Sequence, residues 1–301
     1  MRICMTEALR GHLAMLCFSA LVAGSFSLGG MATPFIAPEA LNAARFALAA
    51  AVVVGVMLAR GERVAGAWAA PWRYVVLAGL FAFYFVAMFT GLRTAAPVSL
   101  AAIFTLNPIL AGAFGWLLLR QITTPRMALA LAVGGAGALW VVFRGDLAAL
   151  LDFRIDTGEV IFFWGSVAHA LYVPLMRKLS RGEPALVFNT GIMVTGAVLL
   201  GVYGAPAILA TDWLALPGIV WITIVYTALA ATALTFALIR YSTLRLPSAK
   251  VLAYTYLTPC WVLIWEVALG HGAPAVRVLI GVALTMVALV LLLKDEERVA
   301  V

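Results

Sequence analysis

The sequence contains a pattern of five apolar segments that is written twice. Its best landmark is a Leu-x-Pro tripeptide inside the fourth segment of each copy: Leu106-Asn107-Pro108 and Leu257-Thr258-Pro259. The two tripeptides lie 151 residues apart in a chain of 301, which is half of its length. The same offset joins four further identical pairs: Ala102 and Ala253, Leu118 and Leu269, Arg126 and Arg277, Ala132 and Ala283. Because the segments also recur in the same order, we predict two five-helix repeats, residues 1–150 and 151–301, in one membrane domain.

Composition places these segments in a lipid bilayer. Hydrophobic residues make up 65% of the chain and charged residues 11%, whereas about a quarter of a soluble domain is charged. The apolar runs last about 20 residues, which is the length of a membrane-spanning helix, and they lack the shorter alternating pattern of barrel strands. The sequence therefore predicts an all-α integral membrane protein with ten transmembrane helices, at residues 11–30, 38–59, 73–91, 97–119, 126–144, 158–178, 185–204, 214–239, 248–269 and 274–293.

The distribution of basic residues predicts the orientation. With a cytoplasmic N-terminus, 15 of the 20 Lys and Arg residues fall on the cytoplasmic side, four fall on the opposite side, and Arg45 lies within a span. By the positive-inside rule both termini are then cytoplasmic, in a bacterial inner membrane. The net charge of +7 is explained by basic loops beside lipid, so we expect the bilayer as a partner and no nucleic acid.

Five spans per repeat is an odd number, so the second copy must enter the membrane in the opposite direction. Inverted repeats of this kind are typical of secondary transporters, which bind a small-molecule substrate near the midplane between the repeats. Pro108 and Pro259 each remove a backbone hydrogen bond inside a span. We expect these two prolines to act as helix hinges, although a simple kink would have the same sequence signature.

The stretch from Gly158 to Arg181 is similar to the start of the second repeat in a known superfamily. A Gly-acidic start, Gly158-Glu159, leads into Ala168-His169-Ala170-Leu171-Tyr172 and a basic exit, Arg177-Lys178. With the two proline segments, this order resembles the ten-helix EamA-type members of the drug/metabolite transporter superfamily over nearly the whole chain. The resemblance implies export of small molecules, and the many aromatic residues look most like amino-acid exporters of the YddG type.

The chain departs from the family pattern at three places. His169 stands where the family usually has Trp, and Gln121 and His271-Gly272 stand where an acidic residue often follows spans four and nine.

Helical spacing gives a set of candidate substrate-binding residues. Ser166, His169 and Tyr172 share one face of span six, with Trp164 on an adjacent side. Tyr254, Thr258 and Trp261 form a stripe on span nine. The remaining candidates are distributed over three other spans: Phe81, Tyr84, Asn107 and Tyr226. Packing is the competing interpretation for every one of these aromatic residues.

These side chains predict an aromatic cavity with hydroxyl groups and one imidazole. It suits an aromatic or other apolar amino acid, or a related metabolite, through stacking and apolar burial. We expect no acidic side chain at mid-membrane, which favours facilitated export over a proton-coupled multidrug exporter. An intramembrane enzyme would need a nucleophile–base pair or a metal cluster beside His169, and the sequence provides neither. No cofactor or metal is expected, and monomer and homodimer both remain open.

Arg45 is the one basic residue that the sequence places well inside a predicted span rather than near one of its ends. It lies about five residues below the predicted outer surface, where its long side chain could reach the interface or pair with Glu39. We therefore expect a structural role for it.

Overall fold

A computed structural model describes residues 7–62, 70–121, 124–148, 155–246, 248–272 and 275–293, and no strand occurs within those ranges. Within this described part of the chain, nine helices are long and apolar enough to cross a membrane, and Val276–Leu291 is a shorter apolar helix. The prediction of an all-α membrane protein with ten spans is confirmed. We name them span one to span ten: Glu7–Ala32, Pro38–Ala59, Trp72–Gly91, Pro97–Leu119, Pro125–Val142, Thr157–Leu179, Ala185–Tyr203, Gly218–Thr243, Lys250–Ala268 and Val276–Leu293.

Several spans begin at signals that are visible in the sequence. Pro38, Pro97 and Pro125 each stand at the first position of a helix, where the missing N–H would have no partner within the helix. At span five, the Thr124 hydroxyl accepts from the Met127 backbone N–H at 3.1 Å. At span six, the carboxylates of Asp156 and Glu159 form a capping box. The boundary between residues 150 and 151 lies outside the described residues.

Span eight departs most from the predicted bounds. It begins at Gly218 and ends at Thr243, about four residues later than expected, because residues 211–217 form a connection that ends in Pro217. A short helix, Ala205–Ala210, precedes that connection. In the middle of span eight, Leu229–Leu234 is a π-helix. This form occurs mostly as single turns within α-helices and is frequent at functional sites.

The packing of the spans follows a pseudo-two-fold axis. Span two packs against its equivalent, span seven, and span five packs against its equivalent, span ten. Span three packs against span six, and the equivalent pair, spans eight and one, is also in contact. The first segment of span four, Pro97–Phe104, contacts the last segment of span nine, Thr258–Ala268. The second segment of span four, Asn107–Leu119, contacts the first segment of span nine, Ser248–Ala253. Spans four and nine therefore run in opposite directions, as inverted repeats require.

Two glycines allow spans five and ten to approach closely. A Cβ atom added to Gly137 would lie 2.7 Å from the carbonyl oxygen of Gly281, and one added to Gly281 would lie 2.6 Å from that of Gly137. Only residues without a side chain fit this crossing, as at small-residue contacts between membrane helices.

Candidate functional site

Spans four and nine are both broken at the predicted prolines. Span four stops at Phe104 and resumes at Asn107, and span nine passes through a 3₁₀ turn, Tyr254–Leu257, before resuming at Thr258. Pro108 and Pro259 occupy the second position of the resumed helices. In the turn before each break, a threonine hydroxyl donates to the carbonyl three residues earlier: Thr105 to Ala102 at 2.6 Å and Thr255 to Leu252 at 2.7 Å.

Each break places a buried polar side chain inside the bundle. Asn107 and Thr258 correspond through the offset of 151 residues, and both are fully buried. Within the described residues, Asn107 Oδ1 and Thr258 Oγ1 have no hydrogen-bond partner. An unpaired polar atom is costly in an apolar interior, so these two atoms are available to a polar ligand.

His169 lies beside the break in span four. Its side chain is 1% exposed, and its Nδ1 atom lies 3.4 Å from the amide nitrogen of Asn107. Because an amide nitrogen can only donate, Nδ1 is the acceptor and the proton of the neutral ring is on Nε2. Ser166, one turn earlier on the same face, is also buried, and its hydroxyl oxygen has no partner among the described residues.

Aromatic rings from spans three, four and six surround His169, and Phe236 of span eight packs against two of them. The centroid of its ring lies 4.6 Å from that of Tyr84 and 5.2 Å from that of Phe104. Tyr172 stacks on Phe81 at 5.0 Å. We call the whole group the central aromatic cluster; its members are Phe81, Tyr84, Phe85, Phe104, Phe162, His169, Tyr172 and Phe236.

The two tyrosines of this cluster bond in the same way. The Tyr84 hydroxyl lies 3.8 Å from the sulfur of Met88, and the Tyr172 hydroxyl lies 3.6 Å from that of Met176. Each methionine is four residues further along the helix of its tyrosine. A thioether is a weak acceptor, so both hydroxyls can exchange it for a stronger acceptor on a ligand.

Three of the predicted site residues face span one instead of the central aromatic cluster. The Tyr226 hydroxyl donates to the Leu21 carbonyl at 2.9 Å, and the Trp261 indole donates to the Ser19 hydroxyl at 3.2 Å. The Tyr254 hydroxyl lies 2.9 Å from Nδ1 of His12. Since span one is the counterpart of span six, these residues form a second region related to the first by the pseudo-two-fold axis.

A glycine–serine pair occurs in both regions. Ser166 was predicted from the sequence, but the repetition of the pair was not. On span one, Gly24 of the pair Gly24-Ser25 lies against the ring of Tyr226. On span six, Gly165 of the pair Gly165-Ser166 lies against the Ala87 side chain and the backbone of Tyr84. Like Ser166, Ser25 is buried, and its hydroxyl has no partner in the described part of the chain. The repeated dipeptide, with a tyrosine on the facing span, was the signal that could have found it.

Trp164 is not part of either region. Its side chain is 58% exposed on the outside of the bundle, and its ring contacts that of Phe163. Five residues separate it from His169, which is about 140° around a helix at 3.6 residues per turn. A ring on that side faces lipid, so the expectation that Trp164 lines a central cavity is corrected.

Arg45 also differs from the expectation. It is 0% exposed and lies inside the bundle, where its guanidinium is centred 3.7 Å from the ring of Phe85. Among the described residues it makes no ion pair with Glu39 or any other carboxylate. The Arg45 charge is buried against spans three and eight and does not extend toward the interface. The hydropathy pattern could not reveal this.

Comparison with known protein families gives two matches, one in each half of the chain. The EamA-like transporter family matches residues 9–143 and again residues 156–294. The chain belongs to this family. The two matches fall on spans one to five and six to ten, so the repeat seen in the packing is also a repeat of the family unit. The resemblance to EamA-type transporters that was found in the sequence is confirmed.

Two relatives add detail on similarity. The chain is 30% identical over 191 residues to "Uncharacterized transporter YyaM" of Bacillus subtilis (strain 168), and the match covers 63% of each protein. The chain thus spans less than two thirds of that relative. A solved structure titled "Crystal structure of protein" shares 21% identity at a TM-score of 0.72, over 97% of this EamA-like chain and 98% of its own. It supports the fold.

Proposed function

We propose that this chain is a secondary transporter that exports aromatic or other apolar amino acids, and related small metabolites, by alternating access. The observation that carries the proposal is the central aromatic cluster around His169, packed against the break in span four. Its rings can stack on an apolar side chain, and the free atoms of Asn107 and Ser166 can bond a polar atom carried on that side chain, such as a phenol hydroxyl or an indole N–H. The inverted repeats supply two equivalent halves whose roles can be exchanged.

The proposed direction is export from the cytoplasm across a bacterial inner membrane. The direction would follow from an outward gradient of the substrate. The excess of basic residues supports a cytoplasmic location for the end of the bundle where span one begins. We call this the N-terminal end. Substrate would enter the bundle there and leave at the opposite end, between spans that the pseudo-two-fold axis relates.

Proton-coupled export of drugs or other metabolites is the competing function. His169 favours it, because an ionisable group inside a membrane bundle can carry a proton. A carrier that exchanges a cationic drug for protons needs a group that binds both in turn, and a carboxylate does this best. The described residues at the level of His169 hold no carboxylate, so we favour facilitated transport driven by the substrate gradient.

Reconstitution into liposomes tests the proposal. Vesicles preloaded with unlabelled L-phenylalanine are diluted into labelled L-phenylalanine, and counterflow is measured with and without a pH gradient. We expect counterflow that is independent of the gradient, and competition by tryptophan, leucine and methionine. Movement of an organic cation driven by pH, with no movement of any amino acid, would contradict the main proposal and support the competing one.

A further inference from the structure

We propose that Arg45 and Asn42 form a binding site for the head group of an α-amino acid, with Arg45 binding the carboxylate and Asn42 the ammonium. This inference rests on the proposed function and deepens it, because it names the groups that would distinguish amino acids from other aromatic solutes. Both residues lie in the first two turns of span two, and both are fully buried.

Arg45 carries a positive charge that the described residues leave without a counter-ion. One terminal nitrogen, Nη2, donates to the Thr232 hydroxyl and to the Thr227 carbonyl, the latter at 3.4 Å. The other two nitrogens, Nε and Nη1, have no partner in the described part of the chain. A guanidinium presents its donors in a planar fork that matches a carboxylate. A bound carboxylate would neutralise the charge and satisfy both nitrogens.

The rings around Arg45 hold the guanidinium in place without using its donors. Its carbon lies 3.7 Å from the centroid of Phe85 and 5.5 Å from that of Phe89. A ring face attracts a cation, so stacking keeps the guanidinium inside the bundle while its edge stays available. Rings cannot accept the remaining N–H bonds at that edge, and these are what the carboxylate would take.

Asn42 presents the opposite polarity one turn away. Its amide nitrogen donates to the Pro38 carbonyl at 2.8 Å and lies 3.4 Å from the Phe85 carbonyl. These two acceptors fix the amide with its nitrogen toward the backbone. Its Oδ1 atom is therefore the free group, and it has no partner among the described residues. Residues three apart lie on one face of a helix, so an acceptor for an ammonium stands beside the donor for a carboxylate.

The head-group site is continuous with the central aromatic cluster. The ring of Phe85, which stacks on Arg45, lies 4.6 Å from that of Tyr84 and 4.7 Å from that of Phe81. Tyr84 in turn contacts His169. An amino acid held at its head by Arg45 and Asn42 would extend its side chain toward these rings.

The π-helix of span eight forms one wall of this site. Thr232, which accepts from Arg45, lies within Leu229–Leu234. A π-helix is less regular than the α-helix around it, and its insertion into span eight occurs beside the buried charge. A carboxylate that engages Arg45 would compete with the Thr232 hydroxyl and so couple binding to the conformation of span eight.

Three analogues separate the two halves of the head group. L-phenylalanine has both groups, 3-phenylpropionate lacks the ammonium, and phenethylamine lacks the carboxylate. In liposomes with the unaltered protein, we expect 3-phenylpropionate to compete with L-phenylalanine and phenethylamine to compete at least tenfold more weakly. Equal competition by the two analogues would overturn the assignment of a carboxylate site.

Substitutions assign the two groups to residues. Arg45→Gln should raise the KM for L-phenylalanine at least tenfold. It should also let phenethylamine compete more strongly than it does with the unaltered protein, a gain that an unfolded protein cannot show. Asn42→Val should weaken L-phenylalanine about fivefold and leave inhibition by 3-phenylpropionate unchanged. Arg93→Gln removes an exposed arginine and is the matched control, with values close to those of the unaltered protein.

A KM for L-phenylalanine within twofold of the unaltered value in Arg45→Gln would overturn the proposal. If that variant does not fold, Arg45→Lys decides. It keeps the charge and loses the fork, so KM should rise at least fivefold with a smaller change in kcat, and an unchanged KM would overturn the site.

Failure of the proposed function is distinguishable from failure of this site. If the unaltered protein moves no amino acid, thermal stabilisation of the purified protein by 3-phenylpropionate still reports the site. If 3-phenylpropionate stabilises the unaltered protein and stabilises Arg45→Lys less, the head-group site is supported even though the transport proposal fails. No stabilisation by this probe would reject it.

Discussion

The Nη1 atom of Arg73 lies 2.6 Å from Oε1 of Glu183 and joins the start of span three to the connection between spans six and seven. Both side chains are shielded from solvent, and the same Arg73 nitrogen donates to the Leu179 carbonyl at 2.7 Å. Arg240 reaches this connection from span eight and donates to the Ser180 hydroxyl at 2.7 Å. The N-terminal end of the bundle is therefore closed by two arginines from different repeats.

Glu183→Gln should open this closure. Breaking one partner of a shielded ion pair leaves the other charge uncompensated, at a cost of roughly 3 kcal/mol. We expect faster labelling by a membrane-impermeant thiol reagent of a cysteine placed at Ser180. This background already lacks the hydroxyl that Arg240 contacts, so Glu183→Gln changes the pair with Arg73 alone. Glu62→Gln, on the connection after span two, is the control and should leave labelling unchanged. Equal labelling of all three proteins would show that the pair does not hold the end closed.

The same ion pair predicts a dependence on acid pH. Burial raises the pKa of the Glu183 carboxyl, but hydrogen bonds from the Arg181 backbone and from Arg73 outweigh burial, so the pKa is lowered from its usual 4.5. A lowered pKa in the closed state means that the pair stabilises closure above pH 4.5 and loses this effect as pH falls through the lowered pKa. Because the thiolate is the reacting species and its fraction falls with pH, the two proteins are compared at each pH. The ratio of the labelling rate in Glu183→Gln to the rate with Glu183 intact should fall toward one in that acid range.

The fold was predictable because its signals are local and repeated. Apolar runs, helix-initiating prolines and the matched Leu-x-Pro tripeptides each report on their own segment, and the structure confirms the spans that they define. The site was predictable in part. Helical spacing placed His169 and Tyr172 on one face, but spacing cannot tell which face of a span meets lipid, so Trp164 was misplaced.

Contacts between distant spans were the part that the sequence could not supply. Arg45 has a shallow position in span two, and its burial depends on Phe85 of span three and Thr232 of span eight. Nothing near Arg45 in the sequence identifies those partners. Tyr226 and Trp261 were recognised as polar-tipped aromatic residues, yet their side chains bond to span one, more than 200 residues away.

The contact between His169 and Asn107 should show energetic coupling in transport. His169→Phe keeps an aromatic ring in the cluster and removes the acceptor, and Asn107→Leu removes the donor. We expect each single variant to raise the KM for the transported amino acid several-fold. The free-energy cost of the double variant should be smaller than the sum of the two single costs by about 0.5–3 kcal/mol. Trp164→Ala is the control on the lipid-facing side of the same span, with KM unchanged. Additive effects would mean that the two residues act separately.

Gly24 and Tyr226 should behave as a packing pair. A Cβ atom at Gly24 would collide with the Tyr226 ring and hydroxyl, so Gly24→Ala should destabilise the purified protein by about 1–3 kcal/mol. Tyr226→Phe removes the hydroxyl and should recover part of that loss in the double variant. Gly79→Ala is the matched control, because a Cβ atom there meets no atom within 4 Å. A melting temperature for Gly24→Ala equal to that of Gly79→Ala would contradict the close contact.

Pro108 and Pro259 should set the rate of transport rather than its affinity. Alanine at either position restores an N–H that can bond to the carbonyl four residues earlier, Phe104 or Thr255, and so favours a continuous helix over a broken one. If the breaks are the points at which spans four and nine bend between states, each variant should lower kcat about tenfold and change KM less than twofold.

A proline at the start of a helix separates this hinge effect from a general effect of proline loss. Pro125 stands at the first position of span five, where no N–H bond is missing, so Pro125→Ala should leave kcat unchanged. The pseudo-two-fold axis gives a further expectation. If each break bends in one direction of opening, Pro108→Ala and Pro259→Ala should slow opposite half-reactions, measured as efflux and uptake from vesicles of one orientation. Equal slowing of both directions by both variants would mean that the two breaks bend together in a single step.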